Sequence, residues 1–341
     1  MSATPSPAKI FELARGFMAA KVLLVATRLH LFDALAAGPL RGDEIAERLG
    51  LHPRAIPDFT DALVALGMLE RHGDGPGARY ANRPETARYL VRASDDYVGG
   101  LLEMYEARLY RYWTDLEEAL RTGKPQNELK HTGSSMFEEL YREPARLEQF
   151  MGAMSGISRN NFVALAERFD FSPYRTLCDV GGAAATLSCA VAARHPHLRC
   201  TSFDLPVVEP IARAAIARRG LEGRIGTASG DFFRDPLPRA DVITMGMILH
   251  DWNLEKKRFL IRAAYDALPD GGVFIAVENM IDDARREHVF GLLMSLNMLI
   301  EFGDAFDFTG ADFRGWCTEA GFRRVEVLPL GGPASAGIAF K

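Results

Sequence analysis

The sequence predicts an α/β protein whose second half is a doubly wound, mostly parallel sheet and whose first half is mainly helical. Three observations carry that prediction. From Tyr174 onward strand-like runs alternate with helical ones ("RTLCDVG", "LRCTSFDL", "GRIGTASG", "ADVITMGMI", "GGVFIAVEN"), and such alternation builds a parallel sheet with helices on both faces. Within it, "LCDVGGAAATLSCAVAARHPHLRCTSFDLP", residues 177–206, runs strand, glycine turn, helix, strand, acid, the order of a nucleotide-binding βαβ unit. Residues 1–170, by contrast, show helical spacing through most of their length.

The elements follow in order. Ile10, Leu13, Phe17, Val22, Leu23, Val25, Ala26 and Leu29 recur at helical spacing over residues 9–37, which predicts one or two amphipathic helices. A short helix (Asp43–Leu49), a turn at Gly50, a second helix (Pro53–Leu66) and two strand-like pieces, "MLER" and "ARYAN", give the pattern of a winged helix. In a DNA reader the second helix would enter a major groove. Here "PRAIPDFTDALVALG" offers one Arg, two Asp and an apolar surface, which favours a packing or dimer-forming role. Residues 93–170 read as several helices, whose Tyr105, Tyr110, Trp113, Phe137, Phe150, Met151 and Met154 are core material first and apolar pocket lining second. The last two strands, "FRRVEVLPL" and "AGIAFK", form an antiparallel hairpin, and linker-like composition falls at residues 1–8, 121–135 and 329–336. The division expected is 1–92, a winged-helix domain; 93–170, a helical linker; and 171–341, the nucleotide-binding domain.

Composition narrows the function. The chain has 341 residues, 48% hydrophobic and 25% charged, enough for a soluble protein of two or three domains with ample core. A formal net charge of -5 and the lack of a Lys/Arg stripe argue against nucleic acid. Cys178, Cys189, Cys200 and Cys317 lack ligand spacing and read as reduced core residues. Without an apolar leader or an 18-residue apolar run, a cytoplasmic protein with no membrane partner is expected.

The chemistry-bearing residues stand at strand ends. Gly181 and Gly182 let a ligand approach the backbone, and the helix N-terminus behind them offers free N–H groups. Asp204, closing the second strand, suits a ribose hydroxyl pair. That arrangement admits a nicotinamide cofactor or S-adenosylmethionine, but "GGAAATL" is not G-x-G-x-x-G. In "GDFF", Asp231 and Phe232 either contact an adenine or form a plain turn. His250, in "MILHDWN", titrates near neutrality and suits proton abstraction from an acidic hydroxyl. Glu278 and Asp307 are acids placed to steer it, Asp307 just ahead of an N-cap at Thr309. A metal held by His250 and Asp251 lacks an identifiable third ligand.

Taken together, "DVGG", "FDLP", "GDFF", "HDW", "LPDGG", "VEN" and "FDFTGADF", in this order over nearly the whole chain, resemble the caffeic-acid-type small-molecule O-methyltransferases, including bacterial natural-product enzymes. The resemblance implies a class I methyltransferase fold, S-adenosylmethionine as cofactor and a homodimer paired through the N-terminal domain. It further implies that Gly181 lies by the methionine part, Asp204 holds the ribose, Asp231 and Phe232 contact adenine, and Ser158 or Arg159 lies near the carboxylate. His250 becomes the general base, flanked by Glu278 and Asp307. Phe150, Met154, Met294, Asn297 and Met298 would line the acceptor pocket, Asn297 as a hydrogen-bond partner. The chain departs from the family at Ala183 and Ala185, where glycines are usual, and at Asp307, where plant members carry Glu. A positive φ at either alanine would cost about 1 kcal/mol. The alternatives are C-methylation of an activated aromatic or 2-oxo acid, a non-methylating member of the family, and a ligand-sensing winged-helix regulator.

Overall fold

The computed structural model describes residues 5–94, 96–133, 140, 142 and 144–341; Phe137 lies outside the described residues. It divides into two units, Met1–Arg111 and Tyr112–Lys341, so the division falls inside the 93–170 stretch.

The first unit opens with the helix Ala8–Arg28, which stops where His30 turns left-handed at φ 57°. Only its C-terminal part is buried, through Leu24, Ala26 and Thr27. Glu44 accepts the Arg41 N–H and caps the helix Gly42–Leu49, which Gly50 closes at φ 65°. The expected second helix begins as a 3₁₀ turn at Pro53–Ala55 and continues as Ile56–Ala65. Ile56 and Leu63 go into a core with Leu31, Phe32, Ile45, Leu69 and Tyr80. Strands β1 (Leu40–Arg41), β2 (Leu69–His72) and β3 (Arg79–Asn82) form a small antiparallel sheet in the order β1-β3-β2. At two residues, β1 is too short for any alternation to announce it.

In the second unit the strands are β4 (Thr176–Val180), β5 (Arg199–Asp204), β6 (Ile225–Ser229), β7 (Val242–Gly246), β8 (Val273–Glu278), β9 (Arg324–Gly331) and β10 (Ala334–Phe340). They make a seven-stranded sheet in the order β6-β5-β4-β7-β8-β10-β9. Pairing is parallel from β6 to β8 and antiparallel at β8–β10 and β10–β9. All six residues of β8 are buried, as befits a strand covered on both faces. One face packs on the helices Pro144–Arg168 and Thr186–Arg194 through Phe162, Leu165, Leu187 and Val191. The other packs on Leu254–Ala267 and Gly310–Ala320 through Leu260, Ile261, Phe313 and Trp316.

One expectation is corrected. Residues 329–336 are not a linker: β9 runs to Gly331, β10 starts at Ala334, and Gly331 and Gly332 turn the chain at φ 112° and 54°. The glycines there serve a tight hairpin rather than a flexible tether. Chain direction reverses at β4, since the path moves outward through β5 and β6 and then returns to β7. Ligands in open α/β sheets sit beyond the carboxyl ends of the strands at such a point.

Candidate active site

β4 ends at Val180 and delivers Gly181 at φ 69°. A Cβ on Gly181 would lie 2.4 Å from Ile248 Cδ1, and one on Gly182 would lie 2.3 Å from Ser202 Oγ. Glycine is favoured at the first position by the positive φ and at the second by space, and the bare backbone forms a cradle. Ala183 and Ala185 follow at φ 48° and 54°, so both alanines carry the left-handed strain. Ala183 N–H donates to Asp204 Oδ2 at 2.8 Å, and Leu205 N–H donates to Oδ1 at 2.7 Å. Each carboxylate oxygen keeps a second lone pair for a hydroxyl. Burial raises the Asp204 pKa against the pull of those two amides.

Phe232 reaches the same cradle, with Cε1 3.8 Å from the point a Gly181 Cβ would occupy. Its ring meets Phe233 edge-on at 4.8 Å. Asp231 is partly exposed and accepts the Phe233 N–H at 2.9 Å, so it also organises its own turn. On the helix Pro144–Arg168, Ser158 is buried and Arg159 is exposed. Phe150, like Ala183 and Leu205 of the cradle region, packs against the small core of Leu147, Met151 and Val208. The residues present thus fit an adenosyl cofactor: a glycine floor, a ribose acid and an aromatic wall.

Beyond β7 the turn Leu249–Asp251 presents His250, which is 7% exposed. Its Nδ1 faces Asp307 Oδ1 at 3.6 Å and its Nε2 faces Asp251 Oδ1 at 3.3 Å. The first is an ion-pair distance, longer than a hydrogen bond, as the shorter aspartate arm leads one to expect. Glu278, at the end of β8, accepts the N–H groups of Ile248 and Leu249 at 3.2 and 2.8 Å through Oε1. It thereby fixes the turn that carries the imidazole. Its Oε2, His250 Nδ1 and Asp307 Oδ2 are all buried without a hydrogen-bond partner. One donor atom from each of these three residues falls within 4.8 Å of the others, a spacing that a cation, a water or a shared proton can bridge. Burial works to lower the His250 pKa, but Asp251, Glu278 and Asp307 more than offset it and carry it up to about 10. The same burial pushes Glu278 up to about 7 and Asp251 to about 6.

Thr309 caps the helix Gly310–Ala320 in a capping box with Asp312, and Ser295 accepts the Asp307 N–H at 3.2 Å. These bonds set the loop that aims Asp307. Asn297 and Met298 are buried on the helix Val289–Phe302, while Met294 and Met154 are partly buried. The Asn297 Oδ1 accepts the Trp113 indole N–H at 3.0 Å. A separate cleft of about 250 Å³, lined by Met280, Asp282, His288 and Arg314 among others, holds none of these residues.

Three charged groups carry no catalytic role in the sequence reading, Asp179 and Lys257 buried and Asp251 half-buried. Asp179 accepts from Thr244 and Ser188 and is raised to about 7 by burial. Asp251, in the sequence only a candidate metal ligand, faces the imidazole instead. Lys257 is 0% exposed; its signal was its place on the apolar stripe of Leu254, Leu260, Ile261 and Ala264, where a lysine reads as solvated.

Comparison with known proteins identifies related chains. A family model described as an O-methyltransferase domain matches residues 113–323, and one described as an O-methyltransferase dimerisation domain matches residues 11–92. The chain is 39% identical over 335 residues to the tetracenomycin polyketide synthesis 8-O-methyl transferase TcmO of Streptomyces glaucescens, covering 98% of this chain and 97% of that one. It is 37% identical over 315 residues to the N,N-dimethyltransferase OxyT of Streptomyces rimosus, covering 92% and 90%. Its fold is similar to human N-acetylserotonin methyltransferase in complex with SAM, with a TM-score of 0.91, 29% identity and coverage of 100% and 99%.

Proposed function

The chain belongs to the O-methyltransferase family of S-adenosylmethionine-dependent enzymes, and from that premise we propose that it methylates a phenolic hydroxyl of a small aromatic, polyketide-type acceptor with His250 as general base. The observation that carries the reading is the buried imidazole of His250, held between Asp307 and Asp251 at the strand ends beside the glycine cradle.

When bound, the cofactor supplies a methyl group on a sulfonium, which makes the transfer intrinsically downhill. The protein's own work is to align, to exclude water and to take one proton. In this reading Gly181, Asp204, Asp231 and Phe232 hold the adenosyl part, and Ser158 or Arg159 lies toward its carboxylate. Met154, Met294 and Met298 give an apolar wall to the acceptor. Asn297, with Oδ1 engaged by Trp113, keeps its amide N–H groups for an acceptor oxygen. Phe150 closes the cofactor side.

The acidic surroundings of His250 match it to a phenol. An imidazole with a pKa of about 10 takes a proton from a phenol of pKa about 10 at little cost. Asp307 and Asp251 then stabilise the imidazolium, and Glu278 keeps the turn in place. His250→Ala should lower turnover by about 10²–10⁴ while S-adenosylhomocysteine affinity, measured by calorimetry, stays close to wild type. Turnover near the wild-type level would remove His250 from the reaction. A methyl-transfer screen over hydroxylated naphthoates, polyketide phenols, catechols, aromatic amines and 2-oxo acids, read by mass, then assigns the acceptor. An N-methylated or C-methylated product with no O-methylated phenol would replace the proposed reaction.

The N-terminal unit supports a homodimer. Ile10, Phe11, Leu13, Phe17 and Met18 stand more than half exposed on the helix Ala8–Arg28, within the segment that matches the dimerisation domain. We assign that face to a second copy of the chain, residues 1–92 to pairing, 93–170 to the helical region that contributes Phe150 and Met154, and 171–341 to cofactor and base.

A further inference from the structure

We propose that Lys257 is a positioning residue for the His250–Asp307 pair, its buried ammonium tying the loop that carries Asp307 to the turn that carries His250 and balancing the carboxylates gathered there.

Lys257 lies one turn into the helix Leu254–Ala267 and has no exposed surface. Its Nζ donates to the carbonyl oxygen of Trp252, two residues beyond His250. The same nitrogen sits 3.7 Å from the centre of the Phe306 ring and 5.8 Å from that of Phe308, the residues on either side of Asp307. One ammonium therefore bonds the turn at one end and grips the loop at the other, through a cation–π contact that desolvation strengthens. Asn253 adds a parallel tie: its Nδ2 donates to Asp304 Oδ2 at 2.8 Å.

The charges facing this ammonium come from every side of the site. Glu278 arrives from β8, Asp251 from the turn after β7 that also carries His250, and Asp304 with Asp307 from the loop. Burial pulls the Lys257 pKa down to about 8 against the pull of those acids. A methionine would fill the same volume without sinking an ammonium, and apolar replacements of buried charges are often neutral or stabilising. Stability alone gives no reason for a lysine here, whereas several acids that must stay ionised around one imidazole do.

Removing a positive charge makes each neighbouring group hold its proton more tightly. Lys257→Met in the full chain should therefore raise the titration midpoint of Glu278, which lies at about 7 where Lys257 still carries its charge, by about 1 pH unit. It is followed by NMR of 13C-labelled glutamate Cδ, with Glu278→Gln identifying the resonance. Methyl transfer to 1,3-dihydroxynaphthalene as probe should fall roughly tenfold near neutral pH and recover as pH rises, with S-adenosylhomocysteine affinity held. A purely structural lysine would lower the melting temperature and leave the midpoint in place, and an unmoved midpoint in a folded Lys257→Met overturns the proposal. If that variant does not fold, Phe306→Leu keeps the charge and loosens the grip: lower turnover with an unmoved midpoint is expected, and unchanged turnover overturns the proposal. The inference rests on His250 as base. Turnover that survives His250→Gln sinks that reading, whereas turnover lost there with no effect at Lys257 sinks only this one.

Discussion

At the residue scale the proposed base, His250, makes the reaction depend on one proton. With a pKa of about 10 in the ligand-free protein, the imidazole is mostly charged at neutral pH and must shed that proton before it can act as a base. Cofactor-limited kcat/KM should thus climb with pH through the neutral range and level off near 10. A profile flat across that range would contradict the assignment. The sulfonium adds a positive charge to the complex, so kcat should level off at lower pH. Asp307→Asn removes one of the charges that raise His250 and should move the inflection of kcat/KM downward. Asp179 offers a stability test without chemistry. Its folded pKa of about 7 lies above the ordinary 3.8, so its contribution is fully present below that ordinary value and is lost as pH rises through about 7. Asp179→Asn should narrow the drop in melting temperature between acid and mildly alkaline buffer. His250, Glu278 and Asp307 were legible because each stands at a strand end or before a cap. Asp179 and Lys257 were not, because hydropathy assigns a charged side chain to water, and only tertiary packing shows where it is enclosed.

At the element scale the strained segment is the loop after β4. Both alanines there sit at positive φ, but their surroundings differ. Ala183 is partly exposed, so Ala183→Gly should gain about 0.5–1 kcal/mol by relieving the left-handed strain. Ala185 has no exposed surface; removing its methyl forfeits about 0.8 kcal/mol of burial, which leaves Ala185→Gly near neutral. Urea unfolding of the two variants checks both values. The strands of the large sheet were readable because apolar runs bounded by glycine and charge mark buried parallel strands. β1 was not, and neither was the true extent of the closing hairpin, since Gly, Pro and Ser in "PLGGPAS" carry the same composition in a tether as in a turn.

At the scale of the whole molecule, the face formed by Ile10, Phe11, Leu13, Phe17 and Met18 is too apolar to leave in water at working concentration. Sedimentation should find a dimer for the wild-type chain and a folded monomer for Leu13→Glu combined with Phe17→Glu; a wild-type monomer would refute the assigned pairing. The pairing order of the large sheet sets a different requirement, one of time. β10 lies between β8 and β9 although both precede it in sequence. A ribosome therefore releases β9 before the strand that joins it to the sheet, and until β10 inserts, one side of β8 stays open to any passing extended segment. Closure of the sheet must wait for the last of its seven strands, which places the greatest hazard of misassembly after the other six have been synthesised.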